Sequence, residues 1–448
     1  MSFNQRTMIF PEEVVPVSPM GRYFNSSVLS IYIIGVLEFE VPFDTCLAIP
    51  LLNQLFLPIN PRFSSIMVED KSGEKQWKKV GVNLKDHIKI PLFPKIKSQL
   101  ESYDNYFADY ISRIALEQLP QSRPLWEIHI INYPTSKGES SIIFKLHHAL
   151  GDGYSLMGAL FSCLQRADDP SLPLTFPSLK NSSKSSNKSL FHRFSWITST
   201  AYHTLVDLGW SILKSSVIQD DETPIRSGVE GTINDVITGI IFYGTRLYMQ
   251  GANYESRAAT STALVLLNTR NTESYQSVDD MLNAKAKGPW GNRISFLHVP
   301  IPKLIGARVL DPLEFVWETH NMIKRKKQSL AVPLTGMLLD MESRLKGYEA
   351  VAKQLHGTVW KSSTVITNLI GPSEQMSLAN HPVKGFYFTL AGGPESLVIS
   401  MMSYMGELRI TLKSEKYFID EDKLNCCINT AFHTILKAAM EVPQQTIT

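Results

Sequence analysis

Residues 141–164 read SIIFKLHHALGDGYSLMGALFSCL, and the fold turns on how this stretch divides. The opening SIIFKL alternates and is rich in β-branched and aromatic side chains, which predicts a strand over 141–146. The closing YSLMGALFSCL predicts a helix over 154–164 with a broad apolar face. Between them lie His147, His148, Ala149, Leu150, Gly151, Asp152 and Gly153. Adjacent side chains at a strand end point to opposite faces, so only one imidazole serves a cleft on a given side. Asp152 between two glycines fits a tight turn into the helix, with Gly151 or Gly153 free to take positive φ. A carboxylate placed there can fold back and fix the loop. One imidazole, with an ordinary pKa of ~6.5, is then left as a general base.

Working outward, residues 103–118 predict an amphipathic helix that stops before Pro120. LWEIHII over 125–131 predicts a strand, 132–140 a turn, and SIYIIGVL over 30–37 a buried strand. The second half repeats the mixture. Helices are predicted over 232–250, 312–327 and 420–440, and strands over 263–268, 295–299, 365–369, 396–405 and 407–413. Such a mixture in two halves indicates an α/β fold, an α+β sandwich pair.

The halves meet at a polar interruption. Residues 177–190, rich in Ser, Asn and Lys, bury too little apolar surface to offset their ordering entropy and read as a linker. Residues 191–214, FHRFSWITSTAYHTLVDLGWSILK, carry apolar groups at helical spacing, two Trp and flanking basic residues. That pattern suits a helix lying in a bilayer interface as well as it suits domain packing; His203 and Asp207 argue against a full span. The expected organisation is an N-terminal domain over 1–176, a linker with the amphipathic segment over 177–225, and a C-terminal domain over 226–448.

The chain is 44% hydrophobic and 19% charged, which excludes disorder as a description of the whole. Forty-four basic against forty-two acidic side chains leave a net charge of +2, too balanced for a nucleic-acid partner. The four cysteines show neither a disulfide framework nor CxxC metal spacing. No basic-then-apolar run opens the chain, which argues against a cleaved signal peptide. Zinc is a competing use for paired imidazoles, but neighbours on a strand diverge and no third ligand stands at helical spacing, so no metal is expected. A lone strand-end histidine is ordinarily structural; His-His with Asp-Gly at this spacing is much rarer.

HHxxxDG, as it stands at His147–Gly153, resembles the signature of the CoA-dependent acyltransferase superfamily. Further stretches resemble its wax ester synthase/diacylglycerol acyltransferase family, and its plant members in particular. Pro124-Leu125-Trp126 looks like that family's PLW motif, and Asn234-Asp235 within TINDV looks like its Asn-Asp motif. Asn268-Thr269-Arg270, Trp290-Gly291-Asn292 and Thr367-Asn368-Leu369-Ile370-Gly371-Pro372 look like its second-half signatures, and Ser18-Pro19-Met20 like its opening. The DFGWG motif of the plant BAHD acyltransferases is absent.

The resemblance implies two chloramphenicol-acetyltransferase-like domains with a substrate tunnel between them, and His148 as the base. It implies support from His147 and Asp152, and it makes Gly153, Thr367 and Asn368 candidates for substrate binding. Asn234 is a candidate for stabilising the transition state, with Asn368 or Thr367 second, or else Asn234 is only a helix cap. The implied reaction moves a fatty acyl group from acyl-CoA, a co-substrate, to a long-chain alcohol or to diacylglycerol, with no cofactor. The implied site is the cytosolic face of the endoplasmic reticulum membrane, with the plasma membrane as a second location. The competing readings are a soluble BAHD-like enzyme for a small alcohol or amine, and a catalytically silent lipid binder.

Overall fold

The computed structural model describes residues 15–95, 102–176, 233–252, 256, 259–270, 290–304, 311–329 and 331–441. Residues 177–214, read above as linker and amphipathic segment, lie outside these.

The histidine strand, Ser140–His147, is central to a seven-stranded sheet. Trp126–Ile131 pairs with it on one side and Tyr32–Phe39 on the other, both antiparallel. Every residue of these three strands is buried, the polar Glu38, Glu127, His129 and Lys145 among them. Ile88–Lys89 adds a short parallel edge beyond Trp126–Ile131. On the far side of Tyr32–Phe39 comes His381–Ala391, then Met376–Leu378 and Gln165–Arg166. Two strands of the second half thus complete the sheet of the first, so the halves do not each keep a sheet to themselves. Sequence pattern misses His381–Ala391 because Pro382, Lys384 and Gly385 read as a break. The structure absorbs them in a register shift between Val383 and Gly385.

A five-stranded sheet in the second half runs Ile294–Pro300, Thr262–Asn268, Thr364–Ile370, Leu397–Tyr404, Glu407–Ser414. The central three strands are parallel. Helices Ile233–Ala252, Pro312–Gln328 and Glu421–Glu441 cover one face through Phe242, Phe315 and Ile428, packed with Ile366, Ile399 and Met401. Alternation sends Leu264, Val365, Val398 and Met402 to the other face, where they join the core of the seven-stranded sheet. This shared apolar layer joins the two sheets. A three-stranded sheet, Val15–Pro16, Lys75–Lys79 and Ser65–Glu69, and helices Asp104–Leu116, Gly153–Ser162, Ala331–Lys346 and Tyr348–Trp360 are further elements among the described residues.

Among the described residues no helix is long and apolar enough to cross a membrane. The basic end of Pro312–Gln328 is not uniformly solvated: Lys324, Arg325 and Lys327 are exposed, whereas Lys326 is buried.

Candidate active site

The strand ends at His147 and the chain turns sharply before the helix Gly153–Ser162. Asp152 caps that helix by accepting from the Ser155 amide at 3.0 Å. Neither Gly151 nor Gly153 is among the glycines with positive φ, which corrects the expectation from the turn. What these positions require is space. A Cβ at Gly151 would lie 3.0 Å from the Ser155 Cβ, and one at Gly153 would lie 3.1 Å from a Leu369 methyl.

The two imidazoles are held in different ways. His147 is fully buried, and both its ring nitrogens are engaged. Nδ1 accepts from the Ala149 amide at 3.0 Å, and Nε2 lies 3.4 Å from the Ser30 hydroxyl. An amide N–H facing Nδ1 forbids a proton there, and burial pushes the pKa of His147 down to about 3. His147 is therefore held neutral with its lone pair spent. His148 is buried against the Phe24 ring, 4.7 Å between centroids, and its amide donates to Ile31 O at 2.8 Å. Its Nδ1 lies 2.9 Å from Asn292 Oδ1, and among the described residues no hydrogen bond is made to its Nε2. Burial lowers the His148 pKa from its ordinary value, and the Asp152 carboxylate, the residue's own backbone carbonyl and Asn292 partly oppose that.

Asp152 reaches neither imidazole by a hydrogen bond. Its carboxylate is completely buried and meets the Arg270 guanidinium in two contacts, 2.6 Å from Nη1 and 3.0 Å from Nη2. It also accepts from the Arg293 amide at 2.8 Å. Arg270 donates onward to Ser155 Oγ at 3.0 Å and to Gly291 O at 2.7 Å, and lies 4.7 Å over the Tyr154 ring. A buried carboxylate satisfied on every side by donors fixes the loop rigidly. Trp290 Nε1 and Arg62 Nη1 both donate to Leu150 O, at 3.1 and 2.9 Å.

The segments that carry Arg270 and Trp290-Gly291-Asn292 come from the second half, yet they converge on the histidine loop of the first. Sequence reading singled out both stretches without giving Arg270, Trp290 or Asn292 a role. A lone Arg or Asn carries no signal of which distant carboxylate or imidazole it will meet.

The remaining candidates are placed less centrally. Pro124-Leu125-Trp126 is a packing element: Trp126 is wholly buried, stacks on His87 at 4.1 Å and donates to Phe63 O at 2.9 Å. Ser18 caps the helix Pro19–Tyr23, which leads directly to Phe24 on His148. Thr367 shares a strand face with Leu369, which covers Gly153; Asn368 alternates to the helix-covered face. The backbone of Asn234 opens the helix Ile233–Ala252, but its side chain lies outside the described residues. Among the described residues no three His, Cys, Asp or Glu side chains cluster as a metal site would require.

Residues 67–209 match the family model of the wax ester synthase/diacylglycerol acyltransferase catalytic domain, and residues 290–436 match that of the WS/DGAT C-terminal domain. Wax ester synthase/diacylglycerol acyltransferase 4 of Arabidopsis thaliana is 29% identical over 93% of this chain and 88% of its own length. Member 11 of the same plant is 26% identical over 98% of both. The solved wax ester synthase/diacylglycerol acyltransferase of Marinobacter aquaeolei VT8 superposes with a TM-score of 0.58 at 15% identity, over 95% of this chain and all of that one. At that identity the likeness speaks for the fold.

Proposed function

Because the chain belongs to the wax ester synthase/diacylglycerol acyltransferase family, we propose that it transfers a fatty acyl group from acyl-CoA to the hydroxyl of a long-chain alcohol or of diacylglycerol. The single observation that carries the assignment of the base is the contrast between the neighbouring imidazoles. His147 has both ring nitrogens engaged, whereas His148 keeps Nε2 without a described hydrogen bond.

An alcohol has a very high pKa and is a poor nucleophile at neutral pH. His148 Nε2 takes its proton as the oxygen attacks the thioester carbonyl, a role worth about 10²–10⁴-fold. The tetrahedral oxyanion collapses, the C–S bond breaks, and the imidazolium returns its proton to the departing CoA thiolate. Thr367, on the face that meets the histidine loop, and Asn234 are the candidate donors to the oxyanion. Gly153 keeps the approach beside Leu369 narrow, and Asn368 belongs to the support of that strand. The substrates reach His148 through a tunnel between the two domains, as the resemblance implies. No cofactor enters this scheme.

Acyl-CoA and both acceptors partition into bilayers, so the proposed site of action is the cytosolic face of the endoplasmic reticulum membrane, with surface attachment through residues 191–214. The test offers long-chain acyl-CoA with hexadecanol and with diacylglycerol, in parallel, to membranes containing the protein. Wax ester or triacylglycerol above the level in control membranes is the expected result. Turnover only with a short-chain alcohol or an amine would overturn the assignment of substrates.

A further inference from the structure

We infer that Asn292 is the positioning residue of the base: it fixes which nitrogen of His148 carries the proton and aims the other at the substrate. The inference rests on the reading of His148 as general base and extends it to a residue 144 positions away, on a segment of the other half.

Donor and acceptor identities decide the orientation of the amide. Asn292 makes two hydrogen bonds to one residue. Its side-chain nitrogen Nδ2 faces the His148 backbone carbonyl at 2.8 Å, and a carbonyl oxygen only accepts. That contact fixes the orientation of the amide. The atom facing His148 Nδ1 at 2.9 Å is therefore the amide oxygen Oδ1, which also only accepts. Nδ1 must then carry the hydrogen in the neutral ring, and the lone pair sits on Nε2. In His147, by contrast, the Ala149 amide donates to Nδ1 and leaves the hydrogen on Nε2. Adjacent imidazoles in one chain segment thus hold opposite tautomers, and at His148 the residue's own backbone carbonyl, held by Asn292 Nδ2, stands beside Asn292 Oδ1 as a second acceptor toward the ring.

The rest of the geometry makes Asn292 a rigid reference. It is nine-tenths buried. The preceding Gly291 is anchored through both backbone atoms, its amide donating to Ser155 Oγ at 3.1 Å and its carbonyl accepting from Arg270 at 2.7 Å. The following Arg293 amide is bound to Asp152. The amide that orients the base is thus tied by its neighbours to the same buried ion pair that shapes the loop.

The two hydrogen bonds of Asn292 can be separated by substitution. Asn292→Asp keeps an oxygen to accept from Nδ1 but cannot, as a carboxylate, donate to the His148 carbonyl. Asn292→Leu keeps neither. A merely structural role, resting on the donation to the carbonyl, is lost in both, and in the aspartate a carboxylate oxygen also faces that carbonyl, so such a role predicts no advantage for Asn292→Asp. A tautomer-setting role survives in the aspartate.

The experiment compares acyl transfer from long-chain acyl-CoA to hexadecanol by the wild type, Asn292→Asp, Asn292→Leu and His148→Ala, across pH, in membranes at equal protein level. The expected result is that Asn292→Leu loses at least 100-fold in kcat while Asn292→Asp retains at least ten times the activity of Asn292→Leu. In Asn292→Asp the acidic limb of kcat/KM also moves to higher pH, because a carboxylate at Nδ1 favours the imidazolium. Equal activity of the two Asn292 variants, or an acidic limb in Asn292→Asp that coincides with the wild type's, overturns the inference. Activity retained by His148→Ala instead overturns the assignment of the base itself, so the two failures are distinct.

Discussion

Asp152 and Arg270, 118 residues apart, form a buried two-contact ion pair at 2.6 and 3.0 Å, and neither touches an imidazole through it. The carboxylate of the HHxxxDG stretch is the point at which the second half grips the loop of the first. The pair has the full set of partners that makes a buried charge tolerable: Ser155 and Arg293 amides on the acid, Ser155 Oγ and Gly291 O on the base.

Removing one member leaves the other charged, buried and unpaired. Arg270→Met is therefore expected to cost about 3–5 kcal/mol of stability. The double variant Asp152→Asn/Arg270→Met is expected to recover part of that loss, because no lone charge remains. Chemical denaturation of the four proteins in the cycle checks this; an additive double variant would contradict the coupling.

Gly153 faces Leu369 so closely that an added Cβ would lie 3.1 and 3.3 Å from its two methyl carbons. Gly153→Ala is expected to destabilise by ~1–3 kcal/mol through overpacking. Leu369→Ala in the same chain is expected to relieve the clash, so that the double variant melts higher than a sum of the single effects predicts. A Gly153→Ala protein with the wild-type melting temperature would show that the two sheets yield at this contact.

His147 and His148 are expected to respond differently to one kind of substitution. An asparagine at 147 can offer its side-chain oxygen to the Ala149 amide in place of Nδ1, so His147→Asn is expected to keep at least ten times the activity of His147→Ala. At 148 neither asparagine nor alanine supplies a base, and both are expected to be inactive. Steady-state rates on the four variants decide it. Equal rates for the two His147 variants would remove the structural reading of that residue.

The pH dependence of stability has a definite sign. Burial holds both His147 and His129 down to about 3, well below an unfolded value of ~6.5. As pH falls below ~6.5 the unfolded chain takes up protons first, so the stability these neutral rings contribute above ~6.5 is lost progressively toward pH 3. Urea midpoints are expected to fall between pH 7 and pH 5. A His129→Phe variant, which cannot titrate at that position, is expected to show a shallower fall, whatever its stability at pH 7. Activity follows the same direction. The lowered pKa of His148 keeps the proposed base unprotonated below the usual imidazole range, so the acidic limb of kcat/KM is expected below pH ~6.5.

The strand, turn and helix around His147–Gly153 were legible in the sequence because each has a local cause: alternation, a glycine-flanked acid and an apolar helical face. Most strands and helices of the second half were legible for the same reason. The strand His381–Ala391 was not, since its Pro, Lys and Gly carry loop signals that only the register shift against Tyr32–Phe39 resolves. The contacts of Asn292 and Arg270 with the histidine loop were not legible either. They join residues more than a hundred positions apart, and a one-dimensional pattern holds no information about such a meeting. The glycines illustrate the reverse case. Their presence was legible, but the reason, close approach rather than positive φ, came only from the neighbours they meet.

The central claim is that His148 is the base of an acyl transfer from acyl-CoA. The most direct test measures ester formation and CoA release together, with long-chain acyl-CoA and hexadecanol, for the wild type and His148→Ala at equal protein level and equal melting temperature. Equal amounts of ester and CoA are expected from the wild type, and a rate at least 100-fold lower from the variant. Ester formation by His148→Ala at the wild-type rate would contradict that claim.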